Sequence, residues 1–181
     1  MKSNLKEEVA LPEGVEANYK SGILLLKGPK GEIKRQLVSP KIKISVSKEK
    51  ISLESPKATK REKRLLYTFN SHIKNMLKGV TEGHVYELKI CSGHFPMNVS
   101  VTGNELMIKN FLGENNPRKM KIKEGVKVTI EGDHVKVEGT EKEATGQTAA
   151  DIELLTKVRG RDRRIFQDGI FIINKDGKEI K

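Results

Sequence analysis

The same structural plan is written twice in this 181-residue chain. A strand and turn, Leu24-Leu25-Leu26-Lys27-Gly28-Pro29-Lys30-Gly31-Glu32, precedes alternating Ile42, Ile44 and Val46. A turn at Lys48-Glu49-Lys50, then Ile51 and Leu53, leads into a helix predicted over 59–77. The order returns with Leu106-Met107-Ile108-Lys109 and Gly113-Glu114, then Val126, Val128 and Ile130. A turn at Asp133-His134, then Val135 and Val137, leads into a second helix near 145–155. Lys27 to Lys109 spans 82 positions and Ile42 to Val126 spans 84. A near-constant offset predicts duplication and two small domains of one kind, at 1–82 and 83–181. A solenoid needs more copies to bury a continuous core.

The strands alternate. Ile42, Ile44 and Val46 point one way and Lys43, Ser45 and Ser47 the other, as in antiparallel strands with one wet face. Val99-Ser100-Val101 and Leu106-Met107-Ile108 read as a hairpin turning at Gly103. In the first helix Leu65, Phe69, Ile73 and Leu77 recur every four residues, with Leu66 and Met76 beside them. Thr59 and Glu62 fit a capping box, and Gly79 fits a C-terminal stop. Lys60, Arg61, Lys63 and Arg64 crowd the first turn, where the helix macrodipole disfavours cations. They read either as a solvated charged turn or as a face meeting an anionic surface.

The second helix opens with small residues, Gly146-Gln147-Thr148-Ala149-Ala150. Gly146 there permits close helix–sheet packing or the approach of a phosphate to free N–H groups. After a basic stretch, Asp168-Gly169 reads as a turn and 170–173 as a final strand, with a loose polar tail over 174–181. Residues 1–8 read as loose as well. The one candidate joint between the domains is Lys78-Gly79-Val80-Thr81-Glu82-Gly83.

Composition narrows the function. The net charge is +11, which suits an anionic partner, nucleic acid before membrane. Residues 1–82 carry 18 basic and 9 acidic side chains, whereas the remainder carries 17 and 15. Yet the second half concentrates its cations in two clusters: Arg118, Lys119, Lys121 and Lys123, and Lys157, Arg159, Arg161, Arg163 and Arg164. The lone Cys91 excludes an internal disulfide and points to a reducing cytoplasm. No apolar run is long enough to span a bilayer, and the charged start of the chain is unlike a signal peptide. Cys91 and His94 have ligand-like spacing, but no second pair completes a metal site. No nucleophile motif, tuned acid–base pair or phosphate loop is present, so neither catalysis nor a cofactor or small-molecule substrate is expected. Aromatic residues are 4% of the chain, too few for single-strand stacking platforms, and Phe69, Phe95, Phe111, Phe166 and Phe171 read as mostly core. Lysines and arginines on rigid elements suit structured RNA held by phosphate and 2′-hydroxyl contacts.

Four segments together resemble the large ribosomal subunit protein six family in its archaeal and eukaryotic branch. They are Gly93-His94-Phe95-Pro96-Met97-Asn98-Val99, Ile108-Lys109-Asn110-Phe111-Leu112-Gly113-Glu114, Gly146-Gln147-Thr148-Ala149-Ala150-Asp151-Ile152 and Phe166-Gln167-Asp168-Gly169-Ile170. The resemblance implies an α+β fold of two duplicated domains, each a small antiparallel sheet with one packed helix. It implies a structural, ribosome-bound protein that binds large-subunit ribosomal RNA near the sarcin–ricin loop, beside the translation-factor region and with neighbouring ribosomal proteins possible. It places the RNA surface in the second domain, at Arg118 and Lys119 and along Arg159, Arg161, Arg163 and Arg164. The residues themselves add Lys121 and Lys157 from the same basic clusters, Gly113, which is expected either to have a positive φ or to let the backbone pass close to RNA, and Gly146 at the start of the second helix. Glu114, Asp162 and Asp168 lie among these positions and would repel phosphate unless turned away or paired. A free-standing RNA-binding regulator or chaperone on the same fold is the alternative, and a basic RNA-processing enzyme a third.

Overall fold

The computed structural model describes residues 3–47 and 49–180. Met1, Lys2 and Lys181 of the expected loose ends and Lys48 of the expected turn lie outside them. The protein is α+β and divides into two compact units, one ending at Gly83 and one beginning at His84.

The first unit runs β1 (Ser3–Ala10), β2 (Glu16–Lys20), β3 (Ile23–Gly28), β4 (Gly31–Gln36), β5 (Lys43–Val46), β6 (Lys50–Ala58) and α1 (Lys60–Thr81). Two antiparallel sheets form, β1-β6-β5 and β2-β3-β4. Period-two alternation turns Leu24 and Leu26 of β3, and Ile51 and Leu53 of β6, onto one core. Leu66, Ile73 and Val80, seven residues apart on α1, are fully buried against them, with Phe69, Met76 and Leu77 alongside. Residues 3–8, expected to be loose, are instead part of a paired strand, with Leu5 opposite Ser55 and Glu7 opposite Leu53.

The capping box is present. Thr59 accepts from the Arg61 N–H, and the Glu62 carboxylate reaches back to the Thr59 N–H (2.9 Å) and hydroxyl while Lys41 Nζ donates to it at 3.0 Å. Hydrogen bonds from the Thr59 hydroxyl, Lys41 and the Thr59 N–H pull the Glu62 carboxyl down to about 2. Gly79 is not the stop. It is buried within the last helical turns, and the left-handed residue is Gly83 (φ 82°), whose N–H closes on the Lys78 carbonyl at 3.0 Å. The Pro29-Lys30 turn docks on the same helix end, the Lys30 N–H donating to the Val80 carbonyl at 2.9 Å. Gly28 permits that approach, since a Cβ there would lie 2.7 Å from the Val80 oxygen.

The second unit repeats the plan: β7 (His84–Cys91), β8 (Asn98–Thr102), β9 (Glu105–Lys109), a 3-10 turn (Phe111–Gly113), β10 (Arg118–Lys121), β11 (Val126–Glu131), β12 (His134–Gly139) and α2 (Lys142–Leu155). Sheet β10-β9-β8 matches β4-β3-β2, and β11-β12-β7 matches β5-β6-β1. The addition is β13 (Gly169–Lys175) with β14 (Lys178–Glu179), which pairs along the other side of β7. The expected loose tail is therefore a hairpin. Asp176 turns back so that its carboxylate lies 3.1 Å from Nδ1 of the fully buried His84, and its N–H donates to the Val85 carbonyl at 2.9 Å.

The second helix starts three residues before Thr145, so Gly146 lies in its second turn rather than at its opening. A Cβ at Gly146 would stand 3.0 Å from the Tyr86 hydroxyl oxygen, which is close helix–sheet packing. The buried side of α2 is made of Thr145, Thr148, Ala149 and Ile152. Both threonine hydroxyls donate to carbonyls four residues back, Glu141 and Ala144, which satisfies them without water.

Two outcomes follow from the first unit. Gly28→Ala lowers stability by about 1–3 kcal/mol, because a methyl meets backbone rather than a movable side chain; chemical denaturation measures it. Glu62 has a depressed folded-state pKa, so its contribution is present above the ordinary carboxyl value and lost as pH falls towards about 2. Glu62→Gln is therefore less stable than the parent at neutral pH, and thermal melts of the two converge between the ordinary carboxyl value of 4.5 and about 2.

Candidate nucleic-acid interface

The interface grows from a buried carboxylate. Asp168 is not in a turn: it lies just before β13 and is buried. One of its oxygens accepts from the N–H groups of Gly93 (2.7 Å) and His94 (3.0 Å), and the other lies 2.6 Å from His94 Nδ1. Burial alone would raise the Asp168 pKa, but the bonds from the His94 N–H and ring and the Gly93 N–H outweigh it and hold the carboxyl below its usual range. The loop after β7 is thereby fastened to the chain entering β13. Two residues on, the Ile170 N–H donates to the Thr156 hydroxyl at 2.9 Å, which anchors the end of α2 to the same strand.

Contacts spread outward from this joint. The His94 ring stacks on Phe166 at 4.6 Å, and the Arg161 guanidinium lies over the same ring, 4.8 Å from its centroid. Phe95 covers Gly113, where a Cβ would lie 3.5 Å from the ring. Gly113 has a positive φ (79°), the first of its two expected roles, and Asn110 and Leu112 are left-handed too, at 61° and 50°. Asn110 Nδ2 donates to the Pro96 carbonyl at 3.0 Å, which holds this strained turn against the loop. Phe95 and Phe171 are exposed rather than core, while Phe69 and Phe111 are buried and Phe166 lies between.

The structure sorts the cations of the two clusters. Arg118 is committed inward. Its guanidinium grips Glu114 through Nε (2.8 Å) and Nη2 (2.6 Å), Nη1 donates to the Leu155 carbonyl at the end of α2 (2.6 Å), and its plane covers the Phe111 ring at 4.2 Å. The Glu114 carboxyl is held low by Arg118. Arg164 is gripped by Asp162 (3.1 and 2.8 Å) though its side chain stays exposed, and this lowers the Asp162 pKa. All three troublesome carboxylates are thus compensated locally, Glu114 and Asp162 by arginines and Asp168 by the Gly93 and His94 donors around it. Lys119, Lys121, Lys157, Arg159 and Arg163 are exposed and make no ion pair among the described residues. Lys119 and Lys121 alternate outward along β10, an edge strand.

The family described as ribosomal protein L6 matches residues 11–83 and again 95–169. The chain belongs to the ribosomal protein L6 family. It is 49% identical to the large ribosomal subunit protein uL6 of Saccharolobus solfataricus over 173 residues, covering 95% of this chain and 96% of that one. It is 47% identical to the protein of the same description from Methanococcus vannielii over 176 residues, covering 97% of each. Proteins of this family are structural constituents of the large ribosomal subunit and are not enzymes. The two matched stretches fall one in each unit, so the duplication read from the sequence is also the repeat of the family.

Sequence reading missed His94 and Asp168 as a joint. The separation of 74 positions hides it, and Cys91 with His94 drew attention to a metal instead. Among the described residues no group of three or more His, Cys, Asp or Glu is placed to hold a metal ion. Asp168→Asn removes the charge that three donors converge on. It is expected to cost about 2 kcal/mol of stability, read by denaturant unfolding, and to broaden the His94 ring resonances in NMR as the loop loosens.

Proposed function

We propose that this chain is a structural constituent of the large ribosomal subunit that binds folded large-subunit ribosomal RNA near the sarcin–ricin loop. In that position it would support the translation-factor binding region. The observation that carries the reading is the separation of charges in the second unit. Glu114, Asp162 and Asp168 are each neutralised within the protein, and Lys119, Lys121, Lys157, Arg159 and Arg163 are left for phosphate. Arg161, steadied on Phe166, joins this row. Arg118 and Arg164 act first on the protein: Arg118 fixes the turn at 111–113 to α2, and Arg164 cancels Asp162. Gly113 shapes that turn, and Gly146 serves close packing on Tyr86 rather than a phosphate.

Backbone contacts of this kind position a protein on folded RNA without stacking platforms. They are paid in released counterions, so affinity falls with salt. Replacing Lys119, Lys121, Arg159 and Arg163 by alanine is expected to weaken binding to a sarcin–ricin-loop RNA fragment at least about tenfold and to flatten the salt slope by up to about 0.9 per lost contact. Filter binding across a salt series measures both. The same variants leave the melting temperature unchanged, since none of these side chains makes an ion pair among the described residues. Sedimentation separates the regulator alternative: a structural constituent stays with the large subunit after a moderate-salt wash, and a free-standing regulator does not.

A further inference from the structure

The first unit carries a second cationic face that the site above does not use. Lys60, Lys63, Arg64, Tyr67, Thr68 and Ser71 line one shallow groove along the outer side of α1. At about 1.5 Å of rise per residue this stripe runs for roughly 16 Å. The helix holds six lysines and arginines but one carboxylate, Glu62, and Glu62 is already engaged by Thr59 and Lys41. Surface helices commonly balance such cations with glutamates one turn away; this one does not. Lys60, Arg61 and Arg64 make no ion pair among the described residues, and Lys63 has only the Tyr67 ring, 5.9 Å from its centroid. From β4, Arg35 adds its guanidinium 3.3 Å from His72 Nε2, at the far end of the groove.

Cations in the first turn of a helix oppose its macrodipole, so this arrangement costs stability in the isolated protein. A polyanion lying across the helix removes that cost. We infer that the outer face of α1 binds the sugar–phosphate backbone of double-stranded RNA, as a second surface separate from the one in the second unit. Charge complementarity selects the phosphates. The neutral part of the groove selects RNA. The Thr68 and Ser71 hydroxyls donate to the Arg64 and Tyr67 carbonyls, at 2.9 Å each, which leaves their oxygens outward as acceptors for 2′-hydroxyl protons. Tyr67 is the one exposed aromatic side chain on the helix, too few for a single-strand stacking path and enough for one ribose or groove edge. An acidic protein segment or an anionic membrane would use the lysines and arginine but not this row of hydroxyls.

The test uses the full chain and an RNA duplex of about 20 base pairs, whose length covers the footprint of a duplex-binding module. Lys60→Gln, Lys63→Gln and Arg64→Gln are combined in one variant, Tyr67→Ala forms a second, and Arg159→Ala with Arg163→Ala a third. The first is expected to bind the duplex about tenfold more weakly and to lower the salt slope by about 2, with a melting temperature equal to or above the parent's because the first turn loses its repelling charges. Tyr67→Ala weakens duplex binding without changing the salt slope. The losses of the first and third variants add, as they do for sites without shared partners. An unchanged affinity and slope in the first variant overturns the inference. So does a loss confined to anionic lipid vesicles or polyglutamate with duplex binding intact. If the third variant alone is without effect while the first is impaired, the reading of the second unit fails and this one stands.

Discussion

A single buried carboxylate decides the shape of the second unit's working surface. Asp168 fastens the loop after β7 to the chain entering β13, and two residues on Ile170 ties the same strand to the end of α2. A buried charge survives only where donors converge on it, and here two backbone N–H groups and an imidazole do so. From that point rigidity passes through stacked rings, His94 to Phe166 and Phe166 to Arg161, to the cations at the surface. The basic segment between α2 and β13 has no regular secondary structure of its own, so its order comes from this joint. Four segments that look unrelated along the chain, around Gly93, Asn110, Thr156 and Asp168, are parts of one construction.

Local patterns in the sequence were legible where the physics is local. The Thr59–Glu62 capping box, the stripe of Phe69, Ile73 and Leu77 with Leu66 and Met76 beside it, and the alternation of β11 follow from period and neighbouring chemistry, and each is present, although Leu65 of the same stripe is only half-buried. What was hidden depends on contacts far along the chain. The ends read as loose because Lys, Glu and Ser dominate them, yet β1 and the β13–β14 hairpin gain order from β6 and β7. Gly79 read as a stop, although its burial in α1 is set by packing and the turn belongs to Gly83. The start of α2 was misplaced because Glu141 makes no side-chain cap, so nothing in the sequence announces it. For the candidate interface, the location of the cations could be read but not their commitments. Arg118 and Lys119 are neighbours of equal charge, and only the fold turns one to Leu155 and the other to solvent.

The two units share a plan and use it differently. In the first, the helix is long, strongly amphipathic and basic on its open side. In the second, the helix is short and buries threonines and alanine, and the cations are moved to strand β10 and to the segment that follows the helix. Duplication supplied two similar scaffolds, and divergence changed which element of each carries charge. An arginine paired in place acts as structure and an unpaired one acts as a contact, so residue type alone does not state the role.

The β13–β14 hairpin also bears on how a chain of two like halves finds its own pairings. Among the described residues, β1 of the first unit has a neighbour on one side only; in the second, β7, its counterpart, is flanked on both. Repeated sequences risk exchanging equivalent strands during folding, because each half offers the other a nearly correct template. A strand that must lie between two partners is a poor substitute for one built to stand at a border, and the reverse holds too. The extra hairpin therefore marks each half as itself, giving a duplicated chain an identity for each copy that the common plan alone would not provide.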